Sequence, residues 1–252
     1  MPVLRRFPVR SLAAACACAL LPACADAPTG PDSFVHEAGG SVWVAVAVPE
    51  GMPDARSWLP YLAAESPAFG RVRRMQEEAH RARKAGELEH AARMEAQALR
   101  EAAYGISANP PAVKLLNALA ALDRWTERAG ERLEAGRFDG LDSTAARVRA
   151  LRNDARASLV RGDTQTAVVR LSEAAEAARE FAPATIGLRL VRRAEARIDA
   201  EADPSPNLKR ARMLLRTARE AMATGDETRA MKRAWYALQL IEAEEARTAG
   251  RE

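Results

Sequence analysis

RGDTQTAVVRLSEAAEAARE, residues 161–180, reads as the end of one helix, a tight turn and the whole of the next helix. Gly162 supplies the backbone freedom that lets a helix stop, and Asp163 beside it is an N-capping residue for the helix that follows. From Thr164 onward the residues are chiefly Ala, Leu, Arg and Glu, all good helix formers. Ala167 and Ala174 stand five and twelve residues after the glycine, on one face of that helix. Small side chains there let the second helix pack closely against the first. The segment is therefore half of an antiparallel helical hairpin closed by a glycine–acid turn.

The same arrangement of glycine, acid, alanine and alanine occurs twice more, at Gly86, Glu87, Ala91 and Ala98 and at Gly225, Asp226, Ala230 and Ala237. Gly136 with Phe138 reads as a degenerate fourth copy. From about Ala68 to the end the pattern is helical throughout and divides into eight helices, so the predicted fold class is all-α, an assembly of antiparallel helical hairpins. The third helix carries Val113, Leu116, Leu119, Leu122 and Trp125, and the fourth Leu141, Ala145, Val148, Leu151, Ala155 and Leu159, each set predicting one apolar face. Pro110, Pro111, Pro183 and Pro206 stand where a first helical turn needs no amide donor. With aromatics at 5% of the chain, the expected core is aliphatic, with Trp125, Trp235 and Tyr236 as its aromatic anchors.

Ahead of the helices, residues 41–48 alternate through Val42, Val44, Val46 and Val48, which predicts a strand. Ala38, Gly39 and Gly40 provide a turn that folds it back on Phe34 and Val35. Two strands do not stand alone, so this short N-terminal β-like segment is expected to lie against the helices. Residues 49–67, rich in proline, read as loop with one short helix around Trp58 to Ala64.

The glycine–acid–alanine–alanine spacing resembles the inter-helix turn and second helix of tetratricopeptide repeats. The three copies begin 76 and 63 residues apart, where that family repeats about every 34, and its first-helix Trp, Leu-Gly and Tyr signature is missing. A tetratricopeptide-like array and a compact helical bundle both accommodate the same helices. The resemblance implies protein binding through a concave surface or groove.

The beginning of the chain speaks to location. Arg5, Arg6 and Arg10 precede the apolar run 11–21 with no acid among them, the layout of an export signal. The run is about half the ~20 apolar residues needed to span a bilayer, and no later segment is long and apolar enough either. Leu21, Pro22, Ala23 and Cys24 close it, and they resemble a bacterial lipobox. That resemblance implies acylation of Cys24 with palmitate-type chains, cleavage before it, and anchoring in the cell envelope. Ala25 in place of Asp favours the outer membrane, facing the periplasm, by likeness to enterobacterial sorting. An ordinary signal peptidase site at Ala23, Cys24 and Ala25 fits the same residues and implies a periplasmic or secreted protein. The domain expectation is a signal over residues 1–23, a lipid anchor and tether over 24–32, the β-like segment and loop over 33–67, and the helical-hairpin domain over 68–252.

Cys16 and Cys18 leave with the signal, so the mature chain has no disulfide framework and no thiolate metal cluster. Removal of the three signal arginines turns the formal +4 into 38 − 3 = 35 basic against 34 acidic residues, or +1. A near-neutral chain with signs alternating along its helices argues against nucleic acid as a partner.

Candidate chemistry is sparse. Glu77 with His80 and Glu87 with His90 form two Glu-x-x-His pairs, a spacing that puts two metal ligands on one helix face. They lie ten residues apart across the Lys84–Gly86 turn, and first-turn acids and a last-turn cation account for them equally well. Besides His36 there is no other neutral-pH base, and neither a G-x-S-x-G nor a Gly-rich phosphate loop is present. The carboxylate pairs Glu77–Glu78 and Glu244–Glu245 read as solvated helix faces salt-bridged to nearby arginines. The expectation is a lipid-anchored interaction or scaffold module with no catalytic residue, no cofactor and no resident metal, binding the membrane through its lipid and a protein through its helices. The alternatives are an envelope metal-binding protein or enzyme using the His80 and His90 hairpin end, and a passive structural spacer.

Overall fold

The computed structural model describes residues 33–38, 41–135, 140–198 and 205–249. The export signal, Cys24, the tether, the Gly39–Gly40 turn and the Gly136–Phe138 motif lie outside the described residues.

Two strands, β1 (Ser33–Ala38) and β2 (Ser41–Val46), pair antiparallel with Val35 opposite Val44. Val44, Ala45 and Val46 are all buried. The expected one-sided alternation thus gives way to burial on both faces. The end of the hairpin is fastened to the helical body by the Val46 amide, which donates to the Phe181 carbonyl at 2.8 Å. Next comes α1 (Ala55–Trp58), earlier than the short helix expected around Trp58, and then a 3-10 turn at Leu59–Tyr61. Asp54 and Ser57 close a capping box at its start: the Ser57 amide donates to Asp54 Oδ1 at 2.7 Å, and the Asp54 amide to Ser57 Oγ at 3.1 Å.

Eight further helices follow among the described residues: α2 (Pro67–Lys84), α3 (Leu88–Tyr104), α4 (Ala112–Ala135), α5 (Leu141–Val160), α6 (Thr164–Arg179), α7 (Pro183–Ile198), α8 (Pro206–Ala223) and α9 (Glu227–Ala249). The fold is all-α with a short β-hairpin at its N-terminal side. Three hairpins, α2–α3, α5–α6 and α8–α9, make the most extensive helix-to-helix contacts.

Their turns share one hydrogen-bond pattern. The glycine amide donates back to Arg83, Leu159 or Met222, and the amide of the following acid to Ala82, Ser158 or Ala221. That is the Schellman closure, which needs a left-handed residue, and Gly86, Gly162 and Gly225 have φ of 79°, 77° and 82°. The acids then differ. Asp163 accepts from the Thr166 amide at 3.0 Å and Asp226 from the Arg229 amide at 3.2 Å, whereas Glu87, one methylene longer, makes no capping bond. All six patterned alanines are buried.

The alanines matter most on α6. Eight of its residues are buried, Ala167, Val168, Leu171, Ser172, Ala174, Ala175, Ala177 and Ala178, and it packs against α3, α4 and α5 together. Only a helix with small side chains on several faces fits between three neighbours. On the other side, α7 packs chiefly on α9 and also touches β2. Gly187 marks their crossing, since a Cβ there would stand 3.4 Å from Met231 Cα and 2.7 Å from Met222 Cε.

Trp58 and Trp125 are completely buried, and Trp58 Nε1 donates to Ser172 Oγ at 2.9 Å, joining α1 to α6. Tyr236 departs from expectation: it is 47% exposed and lies edge-on against the half-buried Trp235, with ring centroids 4.7 Å apart. Neighbouring residues on a helix point about 100° apart, and of the two it is Trp235 that packs against the core.

Candidate interaction surface

The third-helix stripe decides where the surface lies. Leu119, Leu122 and Trp125 of α4 are buried, but Val113 is 63% and Leu116 60% exposed. A step of three residues falls about 60° short of a full turn, so the four steps from Val113 to Trp125 wind round the helix instead of marking one face. The core face uses mixed steps of three and four, through Leu115, Ala118, Leu122, Trp125 and Ala129, with Leu119 buried beside them. Val113 and Leu116 are left on the open side.

Beside them lies an open groove of about 500 Å³ between α4 and the C-terminal half of α5, lined by Leu116, Leu119, Ala120, Asp123, Arg156, Leu159 and Val160. Val160, in the last turn of α5, is 85% exposed. The groove is apolar at the end where α4 starts and α5 stops, and charged further along. There Asp123 accepts from Arg152 and stands 3.4 Å from Arg156. Such a groove offers apolar contact area and a charged register mark.

The Glu-x-x-His pairs are not brought together. His90 Nε2 lies 2.7 Å from Glu78 Oε1 across the α2–α3 hairpin, so its partner is neither of the glutamates the motif supplies. His80 is exposed, and Glu77 lies 3.9 Å from Arg73. Among the described residues no three His, Cys, Asp or Glu side chains converge as a metal site.

The second carboxylate pair is not wholly solvated. Glu244 is 4% exposed, accepting from Arg247 and, at 3.0 Å, from Asn207 Nδ2. The Arg247 hydrogen bond holds its carboxyl below the usual carboxylate range, against the opposing effect of burial. It ties the end of α9 to the first turn of α8, a structural role. Glu245 lies 3.7 Å from Arg197.

Two further charges are pushed the other way. Burial raises the carboxyl of Glu227 in the first turn of α9, with Arg83 opposing the shift. Burial lowers the Arg179 guanidinium, whose Nη2 donates to the Pro53 carbonyl at 2.5 Å. Neither residue carries a sequence signature, because their burial comes from helices distant in the chain.

Comparison with known proteins is silent. No family model matches the chain, and no curated protein and no solved structure matches it. No helix among the described residues is long and apolar enough to cross a membrane.

Proposed function

We propose that the chain is a lipid-anchored protein of the bacterial cell envelope, tethered through Cys24 in the outer membrane, whose tetratricopeptide-like helical hairpins serve as a protein-interaction module without catalysis of their own. The observation that carries the interaction role is the open apolar face of α4 and α5, with Leu116 and Val160 held out on a frame of tightly closed hairpins. Exposed apolar side chains beside an apolar groove mark a contact surface. The anchor rests on the Leu21-Pro22-Ala23-Cys24 motif and its place behind a short apolar run. One acyl chain binds a membrane marginally, whereas the two or three of a mature lipoprotein hold it stably.

Native mass spectrometry of the tagged protein, gently extracted from its own host's membranes, tests both halves. A triacylated Cys24 terminus with a second polypeptide bound supports the reading. An unacylated chain beginning at Asp26 overturns the anchor, and a chain that never carries a polypeptide overturns the interaction role in favour of a spacer.

A further inference from the structure

We propose that the partner of the α4–α5 face is a second copy of this chain, docked about a twofold axis that runs along the groove. The proposal rests on reading the helical body as an interaction module, and adds what occupies it.

Register along the groove selects the occupant. The two helices run antiparallel, so Leu116 of α4 stands level with Val160 of α5, Ala120 with Arg156, and Asp123 with Arg152. The Asp123–Arg152 ion pair fixes that alignment. Eleven residues, about three turns, from Leu116 and Val160 the same stripes reach Glu127 on α4 and Arg149 on α5. Along the groove, α4 therefore supplies the acids and α5 the bases, while both are apolar at the same end.

A twofold axis parallel to the groove, in the plane of contact, lays α4 of one copy over α5 of the other without changing level. Leu116 then meets the partner's Val160, and Asp123 meets the partner's Arg156. Apolar faces apolar and acid faces base along the whole length, as an isologous interface requires. An axis across the groove would instead press the apolar end onto the charged end. The preferred pairing stacks two antiparallel hairpins face to face as a four-helix bundle. Asp123, now shared between Arg152 and Arg156 of its own chain, exchanges its weaker 3.4 Å contact for the partner's arginine.

The test uses full-length chains carrying two different tags, co-expressed in the native host and captured from its membranes. A Leu116→Cys chain and a Val160→Cys chain are expected to cross-link to each other on mild oxidation, and a pair carrying Arg216→Cys, at an exposed position of α8, is not. Charge reversal gives the sharper result. Asp123→Arg copies make both stripes of the groove basic, and Arg156→Asp copies make the α5 stripe more acidic. Each is expected to capture its own kind about tenfold less than wild type captures itself, with capture recovered when the two variants are mixed. Val160→Arg, a change at an exposed helix end that favours a cation, keeps the fold readable by circular dichroism while weakening capture to a similar degree.

Equal capture in every combination, or wild-type chains that never capture one another, overturns the proposal. So does a Leu116→Cys chain that links only to another protein or partitions as a monomer into phospholipid vesicles. These outcomes are separable from failure of the interaction reading itself, in which native mass spectrometry finds no bound polypeptide of any kind.

Discussion

Replacing Trp58 by phenylalanine removes a buried side-chain hydrogen bond between α1 and α6, Trp58 Nε1 to Ser172 Oγ at 2.9 Å. The serine is not orphaned, because its hydroxyl still donates to the Val168 carbonyl at 2.9 Å. The cost is then a hydrogen bond of about 1 kcal/mol and the space left by the lost ring. Roughly 40 Å³ of cavity at ~24 cal/mol per Å³ adds about 1 kcal/mol, with a transfer contribution of similar or smaller size. Together these come to roughly 2–3 kcal/mol, or a fall in Tm of about 5–10 °C for a body of this length. Ser172→Ala works differently, leaving a buried indole N–H without an acceptor at about 1–3 kcal/mol. The double variant removes both partners, so its cost should fall short of the sum by about 1 kcal/mol. Urea denaturation followed by circular dichroism measures all three. Additive losses, with a coupling below about 0.3 kcal/mol, would refute the idea that this contact docks α1.

Local geometry sets the outcome at three other sites. Glu227→Gln should raise Tm at neutral pH: burial raises the folded carboxyl above its reference value of 4.5, so the wild type loses stability as pH rises through the interval from 4.5 to that raised value, and the variant's advantage should vanish below it. Gly162→Ala should cost about 1–2 kcal/mol in denaturant melts, all of it from the left-handed backbone, since no atom stands within 4 Å of the added Cβ. At Gly187, alanine should stay within about 1 kcal/mol of wild type, because helix propensity offsets a shift of the flexible Met222 end. Leucine at Gly187 should destabilise by about 3 kcal/mol by forcing α7 off the α9 backbone.

What was legible in the chain was local. Gly162 beside Asp163, with alanines at fixed offsets, predicts a tight hairpin turn and a close-packed second helix, and both are present because each depends on nearby residues. The eight helices of the C-terminal region were legible for the same reason, and the alternating valines of residues 41–48 announced a strand folded back on Phe34 and Val35, but not its register. The surface was not. Leu116 and Val113 carry the signature of core residues, and only the angular drift of a three-residue step places them outside. Leu119 and Leu122 have identical chemistry and are buried, so exposure there is a property of the neighbours α4 lacks. Glu244 shows the converse, a carboxylate on a charged-looking face that Asn207, thirty-seven residues earlier, helps to bury. Non-local partners of this kind leave no periodic trace.

The β-hairpin also has a mechanical meaning. Its open end holds Ser33 and Val46 side by side, and Val46 is the residue bonded to Phe181. A pull on the chain at Ser33 therefore loads the rung between Ser33 and Val46 first and the others in succession, peeling the ladder instead of shearing it. Peeling yields at low force. The Phe181 bond lies in series with the ladder and carries the same tension, so the low force at which the rungs peel caps the load that reaches the α6–α7 corner until the strand is spent.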